Sequence, residues 1–587
     1  MTKRIMIVKK EKCNPESCGG YLCIRVSPSN RMGKDAIVKS ADGKVEVNEE
    51  VITDGDRIAA NKCPFNALEM VNLPEELDKE PIHRYGKNGF ALYNLPTPMF
   101  GKVVGIIGRN GIGKSTAVKI LAGVLKPNLG RTDKESYEAS YKELIDYFKG
   151  SEAQIFFEKK NKQKIKIAYK PQQVDLIPKN FCGSVKELLT KVDEKKKLSE
   201  IAKTLELTKI LDHDLKNISG GELQRVAIAA TVLKKANIYF FDEPTSYLDI
   251  KQRLKISKFI REMADENTAV IVIEHDLIIL DYMTDFIHLM YGKATAFGVV
   301  SSIKTTKAGI NVYLSGYLKE ENVRFRANEI KFLKKAPIKK RSSSELVKWN
   351  EFEHSIGSFK LGVKEGKIYH EETVGVLGEN GIGKTTFVKL LAGEIDSSNK
   401  IEKLKVAYKP QYLVSDDEQV TSILKRAIEK YGSLLIDPLR LKDLLLQKSS
   451  ELSGGELQRV MIAKCLAEDS DIMLMDEPSA YLDVEERLII SKVIKDVVKQ
   501  TERAVLIVDH DLLFLDYLSD QLVVFDGEPA VQGFVNGPFE MEDGMNVFLK
   551  DLKLTFRRDE ENNRPRANKL NSRLDREQKS KEKFYYV

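Results

Sequence analysis

Apolar positions along this chain gather in short runs. Val103–Ile107, Ile238–Phe241, Ala269–Ile273 and Ile472–Met475 are each four or five residues long and bounded by polar segments. Runs of that length suit strands buried on both faces, as in a parallel sheet covered by helices. Between 131 and 165 the pattern changes: polar residues dominate, and Tyr141, Leu144, Ile145 and Phe148 recur at helical spacing. No stretch approaches the roughly 18 consecutive apolar residues of a membrane helix. Ile5–Val8 is too short for a signal-peptide core. The expected class is α/β, without a membrane segment, and the expected location cytoplasmic.

The strongest pattern is an internal repeat. Gly108-Arg-Asn-Gly-Ile-Gly-Lys-Ser115 recurs as Gly378-Glu-Asn-Gly-Ile-Gly-Lys-Thr385. Tyr169-Lys-Pro-Gln172 recurs as Tyr408-Lys-Pro-Gln411, and Ser219-Gly-Gly-Glu-Leu-Gln-Arg225 as Ser453–Arg459. Asp242-Glu-Pro244, Tyr247-Leu-Asp249 and His275-Asp276 return as Asp476–Pro478, Tyr481–Asp483 and His510-Asp511. The two lysines lie 270 residues apart but the two glutamines only 239, so the first copy holds about 31 extra residues between them. The segment 131–165 is the candidate insertion. A helix–loop–helix that contacts a partner competes there with a surface elaboration that has no function.

A strand, a Gly-x4-Gly-Lys-Ser/Thr loop and a helix form a phosphate cradle built from backbone N–H groups. In the first copy the nucleotide is expected on Gly108, Asn110, Gly111, Gly113, Lys114, Ser115 and Thr116. In the second it is expected on Gly378, Asn380, Gly381, Gly383, Lys384, Thr385 and Thr386. Lysine reaches the β- and γ-phosphates, and the Ser115 or Thr385 hydroxyl ligates Mg²⁺. Asp242 and Asp476, at the ends of apolar strands, suit Mg²⁺ held through water. Glu243 and Glu477 suit polarisation of the attacking water. His275 and His510 are read as γ-phosphate contacts, and Gln172 and Gln411 as sensors of Mg²⁺ and the water. Tyr85, Phe90 and Phe359 are candidates for stacking on adenine, with core packing as the alternative.

The Ser-Gly-Gly-Glu turn makes the set resemble the ATP-binding-cassette ATPases. That resemblance implies Ser219, Gly220 and Gly221 facing the site built on Lys384, and Ser453, Gly454 and Gly455 facing the site built on Lys114. Both composite sites keep every motif residue, so both are expected to hydrolyse ATP.

Lys plus Arg is 94 against 87 Asp plus Glu, a net +7. That balance permits an RNA or ribosomal partner without requiring one. Six cysteines in such a chain are no disulfide framework. Four cluster near the start, as Cys13-x4-Cys18-x4-Cys23 and then Cys63-Pro64. Thiolates at such spacing before a proline suit an iron–sulfur cluster; a structural zinc site and free thiols compete with it.

From end to end the chain resembles the E-subfamily ABC proteins, the RNase L inhibitor family of ribosome recycling ATPases. The phrases that carry this are Arg31–Gly33, Asn72–Pro74, His83–Tyr85, Asp242–Asp249, Gly309–Asn311 with Asn322–Arg326, Thr555–Asp559 and Arg564–Lys569. The resemblance implies two 4Fe–4S clusters on eight cysteines. Here Ser27, Thr53, Asp56 and Ala59 stand at four of those positions. In two-cluster ferredoxins the fourth cysteine of each run ligates the other run's cluster. One ligand set therefore survives whole (Cys13, Cys18, Cys23, Cys63) and the other is lost whole. One 4Fe–4S cluster is expected.

The implied architecture is two P-loop ABC-type nucleotide-binding domains in tandem behind a small α+β ferredoxin-like domain. The expected spans are 1–75 for the iron–sulfur domain, 76–308 for the first cassette, 309–345 for a hinge, 346–541 for the second cassette and 542–587 for a C-terminal hinge and tail. The tail from Arg557 carries ten basic and six acidic residues; on charge alone it suits ribosomal RNA phosphates or a merely solvated tail, and the resemblance implies packing across both cassettes. The implied activity is ATP-driven splitting of ribosomes. Its partners are the small subunit and its RNA, a release or Pelota-type factor and initiation factors, and the chain is a monomer whose cassettes pair with each other. A non-splitting ribosome-bound paralogue and a transporter ATPase subunit are the alternatives.

Overall fold

The computed structural model describes residues 4–72, 80–132, 137–332, 344–391, 395, 404–569 and 571–585. The expected boundary near 75, residues 73 and 74 of the Asn72–Pro74 phrase and positions 333–343 of the expected hinge lie outside them.

Two eight-stranded sheets dominate, and they have the same strand order. In the first, Val103–Ile107 lies between Ala269–Ile273 and Phe286–Lys293, and Ile238–Asp242 and Ile167–Lys170 follow on the Ala269 side. All of these pairs are parallel. Antiparallel Phe297–Thr305, then Ala91–Tyr93 and His83–Arg84, complete the other edge. In the second sheet Thr373–Leu377 takes the central place, flanked by Ala504–Val508 and Gln521–Glu528, with Ile472–Asp476 and Val406–Lys409 beyond. The apolar runs read from the sequence are the inner strands, and every residue of Val103–Ile107, Ile238–Asp242 and Ala269–Ile273 is buried.

The insertion is a helix pair, Tyr141–Tyr147 and Glu152–Asn161. Leu144 and Phe148 are buried as the helical spacing predicts, and Ala153, Phe156 and Phe157 of the second helix join them. Lys160 Nζ donates to the Leu121 carbonyl at 2.6 Å, which ties the pair to the helix behind the first phosphate loop.

Residues 4–72 form a small α+β unit. Arg4–Val8 pairs antiparallel with Leu68–Asn72, and Ile37–Lys39 with Val45–Val47; three short helices, including Leu22–Val26 and Arg57–Asn61, lie between. Ile5, Ile7 and Val71 share a core with Ala91, Tyr93 and Phe297 of the first cassette. Lys293 pairs with Glu69 at 2.5 Å. Toward the second cassette there is a hydrogen bond from Asn66 Nδ2 to Asp443 Oδ1 at 3.0 Å. The unit is seated on cassette 1 by an apolar interface and reaches cassette 2 through a polar contact.

Behind the two cassettes, Phe556–Arg558 and Pro565–Ala567 form a hairpin, and Arg573–Ser580 forms a helix. The hairpin touches both halves. Arg566 Nε reaches Asp281 of cassette 1 at 2.7 Å, with fully buried Arg564 alongside at 3.4 Å. Arg558 NH1 and the Tyr585 hydroxyl reach Asp516, the equivalent residue of cassette 2. The helices that carry these aspartates, Leu277–Met283 and Leu512–Leu518, pack against each other. The tail therefore packs across both cassettes, as the resemblance implies.

Candidate functional site

Each phosphate loop leaves the middle of its sheet and enters a helix at Lys114 or Lys384. Gly113 and Gly383 have φ of +88° and +92°, a backbone region that glycine enters without steric cost. A Cβ on Gly113 would also strike Phe90 Cζ at 2.6 Å, and one on Gly383 would meet Phe359 Cε1 at 3.0 Å. Phe90 and Phe359 therefore lie against equivalent faces of the two loops. Tyr85 sits next to Phe90, with ring centroids 6.4 Å apart, and its hydroxyl is 3.3 Å from Thr116 Oγ1.

Lys114 Nζ donates to the Gly108 and Arg109 carbonyls at 2.9 and 2.7 Å, and Lys384 Nζ to those of Gly378 and Glu379 at 2.8 Å each. Burial lowers the pKa of both, against the opposing pull of nearby carboxylates, and Lys384 comes down to about 8. Ser115 hydrogen-bonds Asp242, and Thr385 Oγ1 donates to Asp476 Oδ2 at 3.2 Å. Asp242 Oδ1 is buried with no hydrogen-bond partner among the described residues. A hydroxyl, a carboxylate and an orphan carboxylate oxygen make a hard-oxygen donor set suited to Mg²⁺.

The catalytic candidates converge in both copies. Gln172 Nε2 donates to Glu243 Oε1 at 2.8 Å, and His275 Nε2 is 3.4 Å from that oxygen. Gln411 and His510 stand at 2.7 and 3.6 Å from Glu477 Oε1. Both glutamates are held at φ +47°, a left-handed conformation that costs roughly 1–2 kcal/mol outside glycine.

The environments differ, however. Burial pushes the Glu243 carboxyl up, but His275, Lys114 and Gln172 together bring it down to about 2. Glu477 is raised to about 7 by burial and by the charges of Asp509 and Asp476. His510 faces Lys384 at 3.5 Å and Asn380 Oδ1 at 3.0 Å, and burial first, then Lys384 and Arg253, hold its ring neutral. Two sites of like composition therefore push their glutamates in opposite directions.

The two loops are cross-wired. Asn110 N donates to Asp483 Oδ2 at 3.0 Å, and Asn380 N to Asp249 Oδ2 at 3.2 Å. Each phosphate loop thus holds the Tyr-Leu-Asp turn of the other copy, the head-to-tail arrangement expected from the resemblance. The loops differ in charge at Arg109 and Glu379, and their partners differ in the complementary sense. Arg109 Nε lies 3.5 Å from Glu485, and Lys251 Nζ 2.7 Å from Glu379. Ser219 and Ser453 cap their helices by accepting from Glu222 N and Glu456 N, and both are exposed. The aspartate turns are joined across the interface while the signature serines remain open to solvent.

The four cysteines line one apolar pocket with Tyr21, Phe65 and Leu68. Backbone N–H groups of Val45, Ile24 and Ala67 point at Cys13, Cys23 and Cys63. Burial, and behind it the charges of the other cysteines, raises the Cys13 thiol and takes Cys23 to about 11. An apolar shell with N–H···S donors fits an iron–sulfur cluster. Among the described residues no three His, Cys, Asp or Glu side chains converge on a single metal ion.

The other four cluster positions of the family do not fit a cluster. Asp56 lies fully buried among them. It accepts from Ser27 Oγ and Ser29 Oγ at 2.5 Å each, Ser29 N at 3.1 Å, Thr53 N at 2.9 Å and Thr53 Oγ1 at 3.0 Å. Burial raises its pKa, but these donors prevail and hold it at about 2. Ala59 closes the space with a methyl group, fully buried. A satisfied carboxylate hub stands where the resemblance puts a second cluster.

Comparison with known proteins agrees with this geometry. The "ABC transporter" family profile matches residues 99–246 and 363–480. The "ABC transporter E family member 1" of Arabidopsis thaliana is 42% identical over all of this chain and 99% of its own. The chain belongs to the E family of ABC proteins. The structure of ribosome-bound archaeal Pelota and ABCE1 matches at a TM-score of 0.93, with 48% identity and full coverage of both chains. The complex of archaeal ribosomal stalk protein aP1 with the archaeal ribosome recycling factor aABCE1 matches at 0.81 and 49%, over 87% of this chain and 100% of that one. This E-family chain is an ATP-hydrolysing enzyme that uses ATP and Mg²⁺.

Sequence reading missed three groups at these sites. Lys170 and Lys409, inside the Tyr-Lys-Pro-Gln repeat, reach the carbonyls of the Asp-Glu pairs, and Gln224 and Gln458, inside the signature repeat, reach the same glutamates. Asp56 was read as a lost ligand rather than as a hub. Replacing Asp56 with Ala strands buried donors and is expected to destabilise the N-terminal unit by about 3 kcal/mol, read as faster amide exchange across 4–72. The depressed carboxyl also implies that this stabilisation is fully present above the unfolded value near ~4 and is lost as pH falls toward about 2.

Proposed function

We propose that this chain is a ribosome recycling ATPase of the cytoplasm, which separates subunits after termination or rescue. What carries the reading is the cross-wiring of the phosphate loops to the opposite Asp249 and Asp483, with the N-terminal unit seated on one cassette. ATP on Lys114 is completed by Ser453, and ATP on Lys384 by Ser219. Closing those turns moves cassette 1 relative to cassette 2, and the N-terminal unit moves with cassette 1. Glu243 and Glu477 polarise the attacking water, Gln172 and Gln411 hold those carboxylates, and His275 and His510 stand at the γ-phosphate.

The partners are a ribosome, contacted at its small subunit and RNA, and a Pelota-type or release factor. The relatives solved with the ribosome and Pelota and with a ribosomal stalk protein support this. Initiation factors follow as partners of the freed small subunit. Cys13, Cys18, Cys23 and Cys63 hold one 4Fe–4S cluster, which braces the unit when bound. The four thiolates line one apolar pocket without converging on a single ion, which would suit an iron–sulfur group better than zinc.

With purified ribosomes, a rescue factor and ATP, free subunits are expected on a density gradient. The Glu243→Gln, Glu477→Gln chain is expected to bind ATP but lose steady-state hydrolysis by at least about a hundredfold. Ribosomes left whole by the parent chain would contradict the splitting reading. Iron and acid-labile sulfide analysis of anaerobically reconstituted protein is expected to give about four of each per chain; about eight would restore the second cluster, and zinc without sulfide would displace the first.

A further inference from the structure

The carbonyls of the two water-polarising glutamates are gripped by buried cations that neither the motifs nor the family assignment accounts for. Lys170 Nζ donates to the Asp242 carbonyl at 2.9 Å and to the Glu243 carbonyl at 3.2 Å. Lys409 Nζ repeats this at 2.6 and 3.2 Å on Asp476 and Glu477. Both lysines are at most 1% exposed. A third donor completes the grip in each copy: Gln224 Nε2 on the Glu243 carbonyl and Gln458 Nε2 on that of Glu477, both at 2.7 Å. These amides leave their own oxygens buried and unpartnered among the described residues. The side chains are thus committed to the glutamate carbonyl at the expense of their other half.

We propose that Lys170 and Lys409 are positioning residues for ATP hydrolysis. They fix the left-handed backbone of Glu243 and Glu477, which aims each carboxylate at the γ-phosphate. Three features argue for this over plain packing. A buried ammonium is costly, and an apolar side chain of similar length would fill the space without that cost. The ammonium is spent on the carbonyls that flank the strained residue, so it holds a conformation that the chain would otherwise relax. And Lys170 precedes Pro171-Gln172, whose amide bonds the Glu243 carboxylate. One strand end therefore holds the glutamate by its backbone and by its side chain, and any shift of that strand moves both. Lys409 and Gln411 do the same in cassette 2.

The inference rests on Glu243 and Glu477 being the water-polarising groups, which the Glu243→Gln, Glu477→Gln chain tests by itself. In the full-length Lys170→Met, Lys409→Met chain, kcat for ATP is expected to fall at least about tenfold, while KM and directly measured fluorescent-ATP affinity stay within about twofold. Gln224→Leu, Gln458→Leu, a nearly isosteric change that removes the third donor, is expected to lower kcat in the same way and decides the question if the lysine variant does not fold. A kcat within twofold of the parent in the folded variant overturns the proposal. So does a loss of ATP affinity as large as the loss of kcat, since that marks collapse of the phosphate loop. If the glutamine-for-glutamate chain itself still hydrolyses ATP, the assignment of the glutamates falls first.

Discussion

Everything in this molecule depends on two short contacts that cross between its halves. The Asn110 amide holds Asp483 of cassette 2, and the Asn380 amide holds Asp249 of cassette 1. Each aspartate also caps the helix that follows its own Tyr-Leu-Asp turn. A shift of one phosphate loop is therefore felt at the end of a helix in the other cassette. The charge-swapped pairs beside these contacts, Arg109 with Glu485 and Lys251 with Glu379, match cassette 1 to cassette 2. Pairing either cassette with a copy of itself would set like charges together. Exposed ion pairs add little affinity, but like charges at the same places are a penalty that selects against the wrong partner.

A second pair of helices connects the catalytic candidates to the C-terminal hairpin. Asp276 and Asp511 follow His275 and His510 and cap Leu277–Met283 and Leu512–Leu518. At the far ends of those helices Asp281 and Asp516 are held by the arginines and tyrosine of the C-terminal hairpin. A short stretch of helix thus separates His275 and His510 from the hairpin that touches both cassettes. The N-terminal unit lies at the other end of the lever: its apolar contacts go to cassette 1, and its link to cassette 2 is polar and therefore easier to exchange with water. The Asp56 hub keeps half of that unit ordered by hydrogen bonds rather than by a cluster.

Much of this was legible because the chain states it twice. The inner strands, the phosphate loops and the head-to-tail pairing of the two copies were all announced by motifs that recur in the same order. The inner face of the insertion was half legible: Leu144 and Phe148 show helical periodicity, whereas Phe156 and Phe157 are adjacent and bury together only because the second helix turns back on the first. Lys170 and Lys409 carried a signal, a lysine repeated within an otherwise apolar setting, but charged residues are so seldom buried that the repeat reads as solvated. Asp56 was illegible for another reason. Its donors Ser27 and Ser29 come from a segment some 27 residues away, and only the fold brings them to it. The opposite shifts of Glu243 and Glu477 likewise arise from neighbours that only the fold assembles: His275 and Lys114 lower the first, and Asp509 and Asp476 raise the second.

In the proposed cycle ATP closes the Ser-Gly-Gly-Glu turns onto the phosphate loops while the aspartate contacts hold. Spin labels at Val124→Cys, past the first phosphate-loop helix, and Leu446→Cys, near the second signature turn, occupy exposed positions. With Cys182→Ser and the cluster in place, their separation can be measured by pulsed electron paramagnetic resonance in the Glu243→Gln, Glu477→Gln chain. A distinctly shorter distance is expected with ATP and Mg²⁺ than without. A distance distribution unchanged by nucleotide would contradict it.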